Sequence, residues 1–349
     1  MTTDRVDGSF REEVLAEPGG EHLDRCYACG TCASMCLVRR VDPDFNPRKI
    51  LHMVMQDMRE QVLSSPIIWL CSACDLCYTV CPQQIHISEL MAAIRGIAIR
   101  EGREPPGPTA LVDEALCSGC GLCALACPYG AIHLALGAME GDGNGHVVAQ
   151  VDRFLCMGCG TCGAACPSEA MQVEGNSRQE VARRMQAARW FIARETEPKV
   201  VVFICDWCLR ADDDLVRLTR LPPHMRVVSV PCTGQLDPSL VLTAFTEGAD
   251  GVLVLGCRPG ECHYQRGNLL ARRRITEMGP FLDVTGIGRE RLMLRWIPTS
   301  ERGLVGKVVR ECTERVEQLG PGPFNKHRGQ STSPVATQNS LGGHNTHGA

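Results

Sequence analysis

The sequence predicts a multidomain chain, part α+β and part α/β, in which two cysteine-rich units precede a small parallel-sheet unit. Three observations carry this reading. Cysteine occurs 22 times in 349 residues, and most copies fall in four repeats of one run, C-x2-C-x2-C-x3-C. Apolar residues around the first two runs recur at helical spacing, whereas short β-type segments flank the last two. From residue 198 onward, β-branched runs alternate with helical stretches, as in a parallel sheet covered by helices.

The bulk properties agree with several modest cores. A prior of about 150 residues per domain gives two or three domains. Hydrophobic residues make up 44% of the chain, enough for such cores, but aromatics are only 5% and Gly and Pro are frequent. A net charge of −4 argues against a nucleic-acid binder working through a basic field. No stretch approaches the roughly 18 apolar residues of a membrane span. The opening MTTDRVDGSFREEVL lacks the apolar segment of a secretory signal. A cytoplasmic, soluble chain is expected.

Residues 1–19 read as an N-terminal extension. The first unit, 20–102, carries Cys26, Cys29, Cys32, Cys36 and then Cys71, Cys74, Cys77, Cys81. Between the runs, Asn46 before Pro47 reads as a helix cap with Pro at the first helical position. Ile50, Leu51, Val54, Met55 and Met58 follow at helical spacing. After Cys81, HISELMAAIRGIAIREG has Ser88 as cap or first-turn residue and another apolar stripe. Both stripes read as core packing. The Pro-rich EGREPPGP, 101–108, is a linker.

The second unit, 109–176, carries Cys117, Cys120, Cys123, Cys127 and Cys156, Cys159, Cys162, Cys166. AIHLAL, HVVAQVD and AMQV are its β-type segments, and MEGDGNGH is a turn. Gly158–Gly163 matches G-x-G-x-x-G by accident, since it lies inside a cysteine run. A connecting amphipathic helix covers 177–197, its arginines reading as a solvated face. In the third unit, 198–320, KVVVFIC, MRVVSVPC and GVLVLGC are strands, and LVRLT, PSLVLTAFTEGA and GNLLARRRITEMG are helical. Cys205, Cys232 and Cys257 close the strands, so their thiols should converge at the carboxyl edge, where such sheets bind ligands. Cys208 and Cys262 come from the following loops. Cys312, in a helix, reads as a packed small hydrophobe. The tail, 321–349, has no periodicity and reads as disordered.

Disulfides do not suit the four runs, because cysteines three apart are poorly placed to bridge and a cytosolic chain is kept reduced. Structural zinc is normally held by two C-x2-C pairs a dozen or more residues apart, which the runs lack. The C-x2-C-x2-C-x3-C run is instead the dicluster [4Fe–4S] pattern, whose fourth Cys ligates the partner cluster. Pro82, Pro128 and Pro167 follow three of the closing cysteines, while Leu37 follows Cys36. Pairing the runs in order gives four clusters. Cys26, Cys29, Cys32 and Cys81 would hold the first, and Cys71, Cys74, Cys77 and Cys36 the second. Cys117, Cys120, Cys123 and Cys166 would hold the third, and Cys156, Cys159, Cys162 and Cys127 the fourth.

NPRKI and IWLCSACDLCYTVCP make the first unit resemble the C subunit of heterodisulfide reductase, and more loosely the iron–sulfur subunits of succinate dehydrogenases. That resemblance implies a helical dicluster ferredoxin passing electrons to a partner. The second unit is similar to a bacterial 2[4Fe–4S] ferredoxin of βαβ type with a hairpin insertion. CDWC, PCTG and GCRPGECHYQRGN, with RLMLRWI, resemble the delta subunit of methyl-viologen-reducing hydrogenase over about 198–320. In that family the cysteines bind a [2Fe–2S] cluster, which implies ligation by four of Cys205, Cys208, Cys232, Cys257 and Cys262; a zinc site with four thiolates is the alternative. His263 reads as a loop-orienting or surface imidazole and not as a ligand.

The combination implies an electron-relay subunit of a heterodisulfide-reductase-like complex. Its partners would be a flavin-containing A-like subunit, a B-like reductase subunit, and a hydrogenase or formate dehydrogenase. The second reading is a relay subunit of another redox assembly, in sulfur metabolism or aromatic-ring reduction. The chain has no Cys-Cys dipeptide, no hydrogenase large-subunit pattern and no flavin or pyridine-nucleotide motif, so no substrate site of its own is expected.

Overall fold

The computed structural model describes residues 8–105, 107–137, 146–186, 198–209, 224–298 and 304–325. The first part is helical. Phe10–Ala16 (α1) is closed by a capping box between Ser9 and Glu12, and it buries Phe10 and Val14 in the same core as the helices that follow. This part of the N-terminal extension thus packs onto the first unit. Asn46 caps Pro47–Met55 (α2) by accepting from the Lys49 N–H at 3.2 Å, with Pro47 at its first turn. The apolar spacing of α2 buries Ile50, Leu51 and Val54 in the core that also holds Leu90, Met91, Ile94 and Ile97 of Ile87–Arg100 (α3). Ser88 is a first-turn residue of α3 and donates to Asp75.

The second part has four short strands: Ala110–Val112 (β1), Ile132–Leu136 (β2), Val147–Val151 (β3) and Met171–Val173 (β4). The order strand, helical turn, strand occurs twice, yet the pairing is antiparallel, β1 with β4 and β2 with β3. Strand β1 was not expected, because its three residues show no alternation long enough to detect. The expected turn MEGDGNGH lies outside the described residues except for His146.

Arg178–Gln186 (α4) opens with Ser177 and Glu180 exchanging side-chain and backbone hydrogen bonds. The rest of the expected connecting helix is outside the described residues. Arg178 does not sit on the solvated face that the sequence led us to expect. It is ion-paired to Glu169 and to the buried Asp237.

The third part is a four-stranded parallel sheet of Val200–Cys205 (β5), Met225–Val230 (β6), Gly251–Cys257 (β7) and Leu292–Ile297 (β8), in the order β6-β5-β7-β8. Central strands β5 and β7 are buried on both faces, which is why they read as unbroken apolar runs. Pro238–Thr246 (α5), Gly267–Val284 (α6) and α4 contribute to the core on one face. Leu304–Leu319 (α7) covers the other, burying Val308, Val309, Cys312 and Val316. Helix α6 runs through Pro280, beyond the stop anticipated at Gly279. The expected helix LVRLT is outside the described residues.

Two features depart from expectation towards the end of the chain. Strand β8, which no cysteine closes, was not anticipated as a strand. Residues 321–325, placed in the disordered tail, are held by the Asp250 carboxylate, which accepts from the Gly322 N–H at 2.6 Å and the Asn325 side chain at 2.8 Å. No helix among the described residues is long and apolar enough to cross a membrane.

Candidate metal centres

All four cysteine runs fold alike. In each, the residue before the second cysteine (Ala28, Ala73, Gly119, Gly158) and the residue after it (Gly30, Asp75, Gly121, Gly160) have φ between 49° and 86°. Left-handed turns of this kind curl the backbone and gather N–H groups on a concave side, which suits anions such as sulfide. Glycine takes this conformation freely, whereas Ala28, Ala73 and Asp75 adopt it at a cost of about 1–2 kcal/mol each. The third cysteine then lies in a single helical turn, in Thr31–Met35, Leu76–Thr79, Leu122–Ala126 and Thr161–Ala165. Cys36, Cys127 and Cys166 end their turns in extended backbone, which turns the chain away from the loop.

The thiols group across the runs. Cys26, Cys29, Cys32 and Cys81 line one pocket. Cys36, Cys71, Cys74 and Cys77 line a second. Cys117, Cys120, Cys123 and Cys166 line a third. Cys127 lies with Cys156, Cys159 and Cys162, close enough that each raises the cost of ionising its neighbours. Every group thus takes three thiols from one run and the fourth from the other run of its pair. Four soft donors around one space fit an iron–sulfur cubane.

Protons compete with metal for these thiols. Burial pushes Cys32, Cys36 and Cys159 up to about 11, and Cys77 higher still. Two depart from the trend. At Cys29, hydrogen bonding from the side chain and then the backbone of Thr31 lowers the thiol below its ordinary value. At Cys166, burial opposes ionisation, but hydrogen bonds from Ser168 and from nearby backbone groups outweigh it. Metal binding must displace protons from the thiols that burial raises, Cys32, Cys36, Cys77 and Cys159 among them.

The five C-terminal cysteines meet at the carboxyl edge of the sheet. The sulfurs of Cys205, Cys208 and Cys257 all lie within 4.8 Å of one another. Cys232, two residues beyond β6, hydrogen-bonds with Cys262 from the loop after β7. Hydrogen bonds from Cys205 and Cys208 hold the Cys257 thiol well below its usual range despite burial. Gly267, at the start of α6, permits this packing, since a Cβ there would lie 2.2 Å from the Cys232 sulfur. His263 is 6% exposed and stacks on Trp207 at 3.3 Å between ring centroids, so it is no surface imidazole. It packs edge-on against Tyr264 at 4.7 Å. None of the 22 cysteines forms a disulfide, and Cys312 is 1% exposed within α7, away from these groups.

The centres share surroundings. The Tyr129 hydroxyl donates to the Ser72 carbonyl at 3.4 Å, and Gln265 donates to the Ala73 carbonyl at 2.8 Å. Tyr129 also lies near Cys159, Cys232 and Cys262. Arg95 reaches the carbonyls of Ile68 and Cys71 and the sulfur of Met157. Neither Tyr129 nor Arg95 stood out in the sequence. A lone Arg inside the apolar run ELMAAIRGIAI was the available signal.

Comparison with known proteins follows the same division. The family model of the methyl-viologen-reducing hydrogenase delta subunit matches residues 200–320. Models of 4Fe-4S dicluster domains match 22–85, 70–131 and 116–170. The match at 70–131 joins the second and third runs, whereas the thiols gather as first with second and third with fourth. The chain is 38% identical over 141 residues to the iron-sulfur D subunit of the F420-non-reducing hydrogenase vhc of Methanococcus voltae, covering 98% of that protein and 40% of this chain. It is 39% identical over 137 residues to the corresponding protein of Archaeoglobus profundus, covering all of that protein and 39% of this chain. It is also 34% identical over 155 residues to the A subunit of the ferredoxin:CoB-CoM heterodisulfide reductase of Methanosarcina mazei, but spans only 19% of that protein and involves 44% of this chain.

Proposed function

The chain belongs to the methyl-viologen-reducing hydrogenase delta-subunit family, and on that footing we propose that it is an iron–sulfur electron-transfer subunit of a heterodisulfide-reductase-like complex. It combines a helical dicluster ferredoxin domain (20–102, with α1 packed onto it), a bacterial-type dicluster ferredoxin domain (109–176) and a delta-subunit domain (198–320). Four [4Fe–4S] clusters are held by the crossed sets described above. One [2Fe–2S] cluster is held by four of Cys205, Cys208, Cys232, Cys257 and Cys262. Such clusters supply one-electron chemistry at potentials set by charge, hydrogen bonds and exposure.

The observation that supports the cubane assignment is the crossed lining of the cavities, three thiols from one run and one from its partner. The chain's own residues position the thiols, shield the inner sets from water and leave Cys29 and Cys120 exposed at two margins, where partner proteins can exchange electrons. Those partners are a hydrogenase or formate dehydrogenase, a flavin-containing A-like subunit and a B-like reductase subunit. Anaerobic purification with iron, sulfide and zinc analysis and EPR tests the reading. About 18 iron atoms per chain and reducible [4Fe–4S] and [2Fe–2S] signals are expected. Stoichiometric zinc with no reducible signal would overturn it.

A further inference from the structure

Arg95 is a buried cation set between two of the thiol groups. It sits on α3 among Met91, Ile94 and Ile97 and is only 5% exposed. Its Nε donates to the Ile68 carbonyl and one terminal nitrogen to the Cys71 carbonyl, each at 2.8 Å. The other terminal nitrogen reaches the Met157 sulfur at 3.4 Å. Cys71 belongs to the second thiol group, and Met157 lies between Cys156 and Cys159 of the fourth. Among the described residues, no carboxylate forms a salt bridge with this guanidinium.

A fully buried guanidinium stays charged and is expensive to bury without a counter-charge. Two carbonyls and a thioether repay only part of that cost. Negative charge brought by a group the thiols hold would repay the rest. Gly96, the next residue, lets α3 come close, since a Cβ there would lie 3.1 Å from two ring atoms of Phe154. The cation is therefore clamped at the seam between the first two parts of the chain.

We propose that Arg95 is a positioning residue whose fixed positive charge raises the reduction potentials of the clusters held by Cys36, Cys71, Cys74, Cys77 and by Cys127, Cys156, Cys159, Cys162, making this seam the favoured resting place of an electron. The proposal rests on the four-cluster reading. Uptake of one electron adds one negative charge to a cluster. A nearby cation in low dielectric lowers that cost, and a neutral side chain does not. Because Tyr129 of the second domain and Gln265 of the delta-subunit domain reach the carbonyls of Ser72 and Ala73, next to Cys71, all three domains meet at this seam and electrons could pass between them through it.

The test uses the full chain, loaded with iron and sulfide under anaerobic conditions and titrated with dithionite while EPR is recorded. In Arg95→Gln, with iron content kept, at least one cubane midpoint should move to a more negative potential while the [2Fe–2S] midpoint stays. Arg95→Lys, which keeps the charge, should stay close to wild type. Equal negative shifts in both variants, no shift in Arg95→Gln, or loss of iron by both would overturn the proposal. If Arg95→Gln alone loses iron, Arg95→Lys decides, with retained midpoints supporting the charge role and shifted ones overturning it. Failure of the four-cluster reading would show separately, as wild-type chain lacking cubane iron before any titration.

Discussion

Cys205 and Cys257 end adjacent parallel strands and bring their sulfurs to 3.7 Å of each other. Cys208, one helical turn on from Cys205, reaches the same Cys257 sulfur at 3.7 Å. The three sulfurs all lie within 4.8 Å of one another, and Cys257 is the one whose thiol its two neighbours hold well below its usual range.

Cys257→Ser should therefore remove the binuclear signal and about two iron atoms per chain while sparing the cubanes. EPR with iron analysis measures both. Cys312→Ala is the contrast: it should keep all the iron and cost about 1 kcal/mol through lost packing in α7. A Cys257→Ser chain with an intact binuclear signal would remove Cys257 from the ligand set.

The proposed crossed ligation makes an unusual prediction for the first pair of runs. Cys81→Ser should deplete the cluster built on Cys26, Cys29 and Cys32, whose cavity Cys81 lines. The cluster on its own neighbours, Cys71, Cys74 and Cys77, should survive. Double variants distinguish the two. Cys81→Ser combined with Cys29→Ser should lose no more iron than either change alone, whereas Cys81→Ser with Cys74→Ser should lose about twice as much.

The raised thiols imply a pH dependence for the chain without iron. Cys32, Cys36 and Cys159 bind their protons up to about 11 in the fold, against an ordinary 9.0. Between those values the folded state holds protons that the unfolded state has released, so stability falls as pH rises. The contribution is complete below the lower value and gone above the higher one. Urea midpoints of iron-free chain across this window should decline. Loaded chain should not follow that slope, because metal keeps the sulfurs deprotonated throughout.

Arg178→Ala should loosen the seat of the sheet domain. Its Nε donates to the Asp237 carboxylate at 2.6 Å, and Asp237 is 5% exposed. That carboxylate also caps α5 through the Leu240 N–H at 3.0 Å, so it would be left charged and half-satisfied. A loss of about 2 kcal/mol is expected in denaturant titration, with cluster content unchanged. Arg178→Lys should recover part of it.

Much of this was legible because ligand spacing and strand alternation are local. The four runs, the cap at Asn46 and strands β5–β7 each follow from a few consecutive residues. Strand β8 was harder, since its LMLRWI carries no closing cysteine and takes its place in the sheet by pairing with β7. Helix α6 continues past Pro280, where the missing N–H argued locally for a stop. The stacking of His263 on Trp207 joins residues 56 positions apart in sequence and leaves no trace in either local motif. Arg95 was hidden differently, as one charge within an apolar stripe whose partners lie in two other segments, 68–71 and at Met157.

The uneven shielding of the cysteines sets how this chain would corrode. Cys29 and Cys120 are open to solvent, while Cys159, Cys162 and the five sulfurs at the sheet edge are sealed. Oxygen would first reach the two outer cubanes, and their breakdown would start at these sulfurs. A brief dose of air should thus leave an interior that still takes up electrons but has lost its terminals.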